Sequence, residues 1–331
     1  MSTRYDQPLT AAQMQDVLSA VMTGRMPSDQ VKQFLTTLAR RGETAEEITA
    51  AVEVLRTYAV RLPLAHPDRL CDTCGTGGDG QSTINVSTIA ALVAAAAGVR
   101  IAKHGNRAAS SQCGSADVLE ALGVNLAASP TQVARCIDEV GFGFCFAPVF
   151  HPVMKQVALI RRELGIRTLF NLVGPLANPA RLTYQVVGVS EARLVRPMAE
   201  ALLRLGIRRG MVVHGSDGLD EVTTTGPSLI CEVDGSLTEQ QLDPQALGLA
   251  RADLAMLRGG AAPVNAAYAT EVLAGLPSPR RDMILLNAAC AITVAGVAPD
   301  LAGGLARARD AIDRGRAAEV LERVKELTHA G

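Results

Sequence analysis

The chain has 331 residues and a formal net charge of -1, from 32 Lys+Arg against 33 Asp+Glu. Hydrophobic residues make up 48% but aromatics only 3%, with no Trp. This composition supplies an aliphatic core and excludes disorder; it also argues against a sequence-tolerant single-strand nucleic-acid binder, which needs a basic groove with aromatic platforms.

At roughly 150 residues per domain the length suggests about two domains. The opening Met1-Ser2-Thr3-Arg4-Tyr5-Asp6 shows no signal-peptide core. The longest apolar run, residues 89–99, is well short of the ~20 that span a bilayer. Seven scattered Cys read as reduced thiols, so a cytoplasmic protein is expected, with no membrane contact. Cys71 and Cys74 have C-x-x-C spacing, but no second pair or His at ligand spacing completes a zinc site. Buried structural thiols are the favoured reading over a redox pair.

The first ~62 residues predict three helices. Thr10 with Gln13 makes a capping box, after which Met14, Val17, Leu18 and Val21 share a face up to Gly24. Val31, Phe34, Leu35 and Leu38 repeat that spacing before Gly42. Thr44 with Glu47 opens a third segment with Ile48, Ala51, Val52 and Leu55 inward, and Pro63 and Pro67 end the pattern.

Beyond Pro67 the pattern changes. Strands are predicted over 70–74, 99–103, 142–146, 184–189 and 211–214, with helices over 86–97, 131–140 and 192–205 between them. The alternation implies an α/β class with a mostly parallel central sheet, followed by a helical tail over 305–327 interrupted at Gly315. The domains expected are residues 1–66, helical and joined by part of 165–185, and residues 67–331, α/β. Gly174-Pro175-Leu176-Ala177-Asn178-Pro179 reads as a stiff turn between the two units.

Three segments carry chemistry. Gly75-Thr76-Gly77-Gly78-Asp79-Gly80 lies between a strand and a helix, where glycines permit positive φ and close ligand approach. Exposed N–H groups and the helix N-terminus make an anion site. Asn85-Val86-Ser87-Thr88 opens that helix with capping residues. A tight turn with an N-cap is the plainer alternative, and the spacing fits neither a Walker A loop nor G-x-G-x-x-G. The second segment, Lys103-His104-Gly105-Asn106-Arg107-Ala108-Ala109-Ser110-Ser111, crowds cationic and hydroxyl donors suited to a multiply charged phosphate. A solvated basic turn is its alternative. Both lie at the carboxyl ends of adjacent strands, where open α/β sheets bind ligands. The third is Asp220-Glu221, adjacent carboxylates past a strand, suited to Mg2+ shared with phosphate oxygens, or else an ordinary acidic turn. A helix beginning at His151-Pro152 also carries Arg161 about three turns on, on roughly one face. An Arg aimed into a cleft pairs with a carboxylate, although taken alone a solvated Arg is the commoner case.

The ordered set resembles the anthranilate phosphoribosyltransferase family. To those segments it adds Gly114-Ser115-Ala116-Asp117-Val118-Leu119-Glu120 and Phe170-Asn171-Leu172-Val173-Gly174-Pro175-Leu176-Ala177-Asn178-Pro179, and it covers nearly the whole chain. The resemblance implies a fold shared with pyrimidine nucleoside phosphorylases, a homodimer joined through the helical domain, and an active site between the domains. It implies Mg2+-dependent transfer of 5-phosphoribosyl from phosphoribosyl pyrophosphate to the anthranilate amine, in tryptophan synthesis. The donor substrate would be held by Gly75, Gly78, Asp79, Thr83, Asn85, Val86, Ser87, Thr88, Lys103 through Ser111, and Ser115. Ser87, Asp220 and Glu221 match the Mg2+ positions. Gly75, Asn106 and Arg161 match anthranilate contacts, with His104, His151 and Gly174 lining the same channel. Lys103, His104 and Arg161 are the residues implied to act in catalysis. Two departures stand out: Gln112-Cys113 replace the family's usual Lys-Ser, and Gln156 stands where a basic residue is common. The competing readings are a related phosphoribosyltransferase or phosphorylase with another aromatic acceptor, and a non-catalytic relative binding polyphosphate or nucleic acid.

Overall fold

The computed structural model describes residues 5–108 and 111–330. Three helices come first: α1 (Ala11–Met22), α2 (Ser28–Arg41) and α3 (Ala45–Thr57). Both expected capping boxes form, Thr10 with Gln13 and Thr44 with Glu47. The α/β part runs β1 (Leu70–Gly75), α4 (Val86–Ala96), β2 (Arg100–Gly105), α5 (Ser115–Ala121), α6 (Pro130–Val140), β3 (Phe142–Phe146), α7 (Ala147–Phe150), α8 (Lys155–Leu164) and α9 (Leu169–Leu176). It continues with β4 (Tyr184–Gly188), α10 (Val195–Arg204), β5 (Arg209–Gly215), β6 (Ser228–Val233), β7 (Leu237–Leu242), α11 (Ala262–Leu273), α12 (Pro279–Val294), α13 (Leu301–Asp313) and α14 (Arg316–His329). The architecture is thus a small N-terminal helical domain and a larger α/β domain with a mostly parallel sheet and C-terminal helices.

Among the described residues the sheet has seven strands in the order β3-β2-β1-β4-β5-β6-β7. β1 to β5 are parallel; β6 and β7 add an antiparallel edge that the sequence pattern did not announce. From β1 the chain winds outward through β2 and β3, then returns to β4 on the other side of β1. That reversal is the switch point beside which such sheets open a crevice at their carboxyl ends.

Both faces of the sheet are covered, as parallel strands require. Ile101, Tyr184, Val186, Met211 and Val213 face a core built from α4, α12, α13 and α14. The alternate residues Leu70, Cys74, Ala102, Val187 and Val212 face a second core shared with α1 to α3, α9 and α10. The helical domain therefore packs on one sheet face, with α3 against α9 and α10.

Three expectations are corrected. Gly174, Pro175 and Leu176 are the last turn of α9 rather than a stiff turn, which begins only at Ala177. Pro175 is tolerated because Leu169, Phe170, Leu172, Val173 and Leu176 bury that short helix. The helix expected over 192–205 starts with a 3-10 turn, Ala192–Leu194. His151 precedes another, Pro152–Met154, so His151 and Arg161 do not share one continuous helix.

Candidate functional site

β1, β2, β4 and β5 all end in glycine: Gly75, Gly105, Gly188 and Gly215. A side chain on Gly75 would collide with the Asp220 carboxylate, and one on Gly105 with Ser115 Oγ and the Phe144 ring. Bare backbone at these ends lets three loops close together over the sheet edge. They bound a cleft of about 820 Å³.

The first loop turns through positive φ at Gly77, Gly78 and Gly80, as a ligand-cradling loop requires. Gly77 N–H donates to Asp220 Oδ2 at 2.6 Å. The far end of the loop is clipped to the segment before α11, where Thr83 bridges Arg258 and Ile84 N–H donates to the Leu257 carbonyl. Asn85 precedes α4 but its side chain does not cap the helix. It donates to the Cys113 carbonyl at 3.0 Å and accepts from Asn265 at 2.8 Å, binding the first loop to the second. The helix N-terminus is taken instead by Glu221, whose Oε1 accepts Ser87 N–H at 3.1 Å.

On the second loop, Lys103 is 1% exposed. Its ammonium donates to the Thr73 carbonyl and reaches Ser87 Oγ at 3.4 Å. Arg107 departs from expectation. It is paired with Asp117 at 3.0 Å and with both oxygens of Glu120 at 2.7 and 2.8 Å. It lines the cleft, but its charge is already answered by two carboxylates. Asp117 also accepts the Ala108 and Gly114 N–H groups, which fixes the loop's course. Ser115 Oγ accepts Asn106 N–H at 3.2 Å. Ala109 and Ser110 lie outside the described residues.

His104 is buried, and its Nδ1 lies 3.1 Å from the Gly174 carbonyl oxygen. A carbonyl only accepts, so Nδ1 carries the hydrogen and Nε2 holds the lone pair. Nε2 is buried without a partner among the described residues. Burial, then the neighbouring His151, push the imidazole down to about 3, so it is neutral. The two rings lie 5.1 Å apart. His151 and Gly174 are not on the cleft wall, contrary to expectation; they stand behind His104. Burial lowers His151 too, offset in part by the Ala177 carbonyl, which approaches the ring outside hydrogen-bond geometry.

Asp79, Asp220 and Glu221 form the acidic side. Asp220 is pushed up to about 6, first by burial and second by Asp79. Glu221 is raised as well, by burial and then by Asp220. Among the described residues no group of three His, Cys, Asp or Glu makes a metal cage. Asp220 and Glu221 fit Mg2+, which takes one or two carboxylates and completes its shell with water and phosphate. One oxygen each of Asp220 and Glu221 is engaged by a backbone N–H, and the other takes no donor among the described residues.

Arg161 also lines the cleft, 5.7 Å from the Phe170 ring centroid, with no carboxylate partner among the described residues. Sequence reasoning missed Arg167. Its Nη1 donates to Ser190 Oγ at 2.5 Å and to the Gly78 carbonyl at 3.4 Å, while Nη2 is buried and unpartnered. The signal was there: an arginine six residues past Arg161 and just before the Asn171 motif. Gln112 is exposed and Gln156 rests on Gly24, so neither glutamine is on the cleft wall, whereas Cys113 of the first departure lines it. The seven cysteines are free and buried, and burial pushes Cys71 and Cys74 far from thiolate.

Comparison with known proteins fits this geometry. The family described as glycosyl transferase family, a/b domain, matches residues 67–318, and the helical bundle domain of that family matches 2–59. The chain is 48% identical to an anthranilate phosphoribosyltransferase of Symbiobacterium thermophilum, over 97% of this chain and 94% of that one. It is 51% identical to one of Moorella thermoacetica, over 96% and 93%. The anthranilate phosphoribosyltransferase of Thermus thermophilus superposes with a TM-score of 0.94 at 45% identity, covering 98% and 97%. The Saccharomyces cerevisiae enzyme, solved in complex with PRPP and Mg, superposes at 0.89 with 29% identity, covering 97% and 93%.

Proposed function

The chain belongs to the anthranilate phosphoribosyltransferase family, and on that premise we propose which of its residues carry the reaction. The enzyme transfers 5-phosphoribosyl from phosphoribosyl pyrophosphate to the amine of anthranilate and releases pyrophosphate, with Mg2+ as cofactor. One observation carries the assignment of the site: the loops after β1, β2 and β5 share one cleft with Arg161.

In this reading the phosphoribosyl donor lies across the Gly75–Thr88 and Lys103–Ser115 loops, held by backbone N–H groups more than by cations. Ser87, Asp220 and Glu221 hold Mg2+, which when bound neutralises charge on the departing pyrophosphate. Lys103, fixed by Thr73 and Ser87, adds a positive charge that needs no rearrangement as the C1–O bond breaks. The anthranilate amine is an aryl amine, already neutral, so positioning matters more than a strong base. Arg161 clamps the carboxylate, and Gly75 and Asn106 bound the ring. His104, whose buried Nε2 keeps its lone pair, is the candidate base to test for the proton the amine sheds. A weakly basic imidazole suffices once the attacking nitrogen has become an acidic ammonium.

The helical unit of this reading spans 1–66 with part of 165–185, and the donor-binding unit spans 67–331. The resemblance supports a homodimer through the helical domain, which light scattering of the purified protein tests. Among the described residues no helix is long and apolar enough to cross a membrane, and free thiols support a cytoplasmic location. Fluorescence tests the reaction: anthranilate emission should fall only with phosphoribosyl pyrophosphate and Mg2+ both present. Unchanged emission under those conditions rejects the acceptor.

A further inference from the structure

Backbone pairing between β1 and β2 is short. Leu70 pairs with Arg100 and Cys71 with Ile101, and the register stops there. β1 nevertheless stays paired with β4 through Gly75, and β2 with β3 through Gly105. The facing edges of β1 and β2 are therefore left with strand groups that no ladder satisfies, deep under the cleft, where unmade hydrogen bonds are costly.

Side chains replace the ladder. His104 N–H donates to Asp72 Oδ1 at 3.3 Å. The Ala102 carbonyl accepts from Asn178 Nδ2 at 2.7 Å, and the Thr73 carbonyl accepts from the Lys103 ammonium. The same Asn178 Nδ2 donates to Asp72 Oδ2 at 2.9 Å, and Asn178 Oδ1 accepts Ala180 N–H at 2.9 Å. Asp72 is 0% and Asn178 1% exposed. The arrangement suits these two residue types. A carboxylate can accept from two donors at once, whereas an amide can donate to two acceptors while its oxygen fixes its own backbone. Asp72 also places a negative charge beside buried Lys103, which has no ion-pair partner among the described residues.

We propose that Asp72 and Asn178 are a positioning pair, a polar wedge that sets the gap between β1 and β2 and thereby the spacing of the two loops that receive the donor's phosphates. The proposal rests on the phosphoribosyl-transfer reading of the cleft. The wedge also reaches the helical domain. Asn178 follows α9 by two residues, and the last carbonyl of α9, that of Leu176, accepts from Arg56 of α3 at 2.9 Å. Movement of the helical domain would thus reach the loop spacing through Asn178.

The test is Asn178→Ala in the full-length enzyme, with steady-state kinetics and calorimetric binding of Mg2+-pyrophosphate. Loss of folded protein lowers apparent kcat but cannot move a KM or a Kd. The wedge predicts a KM for phosphoribosyl pyrophosphate and a Kd for Mg2+-pyrophosphate both raised about 10-fold, the equivalent of one buried hydrogen bond. The KM for anthranilate should rise less. Pyrophosphate binding equal to wild type overturns the proposal. Where the alanine chain does not fold, Asn178→Ser, which keeps a single donor, serves under the same criterion. A wrong acceptor gives a different result: wild-type protein that binds pyrophosphate but leaves anthranilate unchanged.

Discussion

Gly188 and Asp220 meet backbone to backbone: the direction in which a side chain would leave the Gly188 Cα is filled by the Asp220 carbonyl. Gly188 does not have positive φ, so alanine there is excluded by space and not by backbone strain. Gly188→Ala should displace the Asp220-Glu221 loop and destabilise the fold by about 1–3 kcal/mol. Titration of activity against Mg2+ should show a raised half-saturation point. A variant with unchanged Mg2+ activation would mean that the loop is not held by this contact.

Arg161 is half-buried, has no carboxylate partner among the described residues, and is held below its ordinary value by burial. A guanidinium in that state gains most from a substrate carboxylate, through a charge-assisted hydrogen bond of about 2 kcal/mol. Arg161→Ala should therefore raise the KM for anthranilate roughly 30-fold and leave that of the donor nearly unchanged. Equal effects on both substrates would remove the clamp role. Arg161→Lys should restore little, because a point charge does not reproduce the fork.

The two arginines nearest the phosphate loops should behave oppositely to sequence expectation. Arg107 is occupied by Asp117 and Glu120 at the exposed rim, so Arg107→Ala should change donor KM by no more than about threefold, as for other exposed charges. Glu120→Gln should tighten donor binding by releasing part of that charge. Arg167 lines the cleft and is anchored on Ser190 and Gly78, with Nη2 buried and unpartnered. Arg167→Ala should weaken pyrophosphate binding more than Arg107→Ala does, as calorimetry would show; the reverse order would return the phosphate role to Arg107.

The contrast shows what kind of information the sequence held. Loop chemistry was legible because Gly75-Thr76-Gly77-Gly78-Asp79 and Lys103-His104-Gly105-Asn106-Arg107 are contiguous, and the strands before them are short apolar runs. The pairing of Arg107 was not legible because its neutralisers lie ten and thirteen residues away, on a helix whose facing direction no local pattern reveals. β7 was missed because Leu237–Leu242 is a largely exposed polar edge, and α12 because burial on every side erases helical periodicity. Asp72 was overlooked although a charged residue in a buried parallel strand was itself the signal. Its partner Asn178 lies 106 residues on, within a segment expected to be only a turn.

Asp220 should make metal binding and stability depend on pH in opposite senses. Its carboxyl, pushed up to about 6, holds its proton more tightly in the folded chain than at the ordinary value near 4. A group raised in this way stabilises the fold fully below pH ~4, and that contribution is lost as pH rises through about 6. In metal-free protein, Asp220→Asn should thus melt above wild type at pH 8, by an amount on the order of 1–2 kcal/mol. The difference should shrink towards pH ~4, where wild type is itself neutral at that site. The amide oxygen can still accept Gly77 N–H, so the variant isolates the charge. Mg2+ reverses the order by using the charge that destabilises the metal-free fold. It should raise the wild-type melting temperature at pH 8, less at pH 5, and have little effect on Asp220→Asn. A Mg2+-induced rise of equal size at both pH values, or one retained in Asp220→Asn, would remove Asp220 from the metal site.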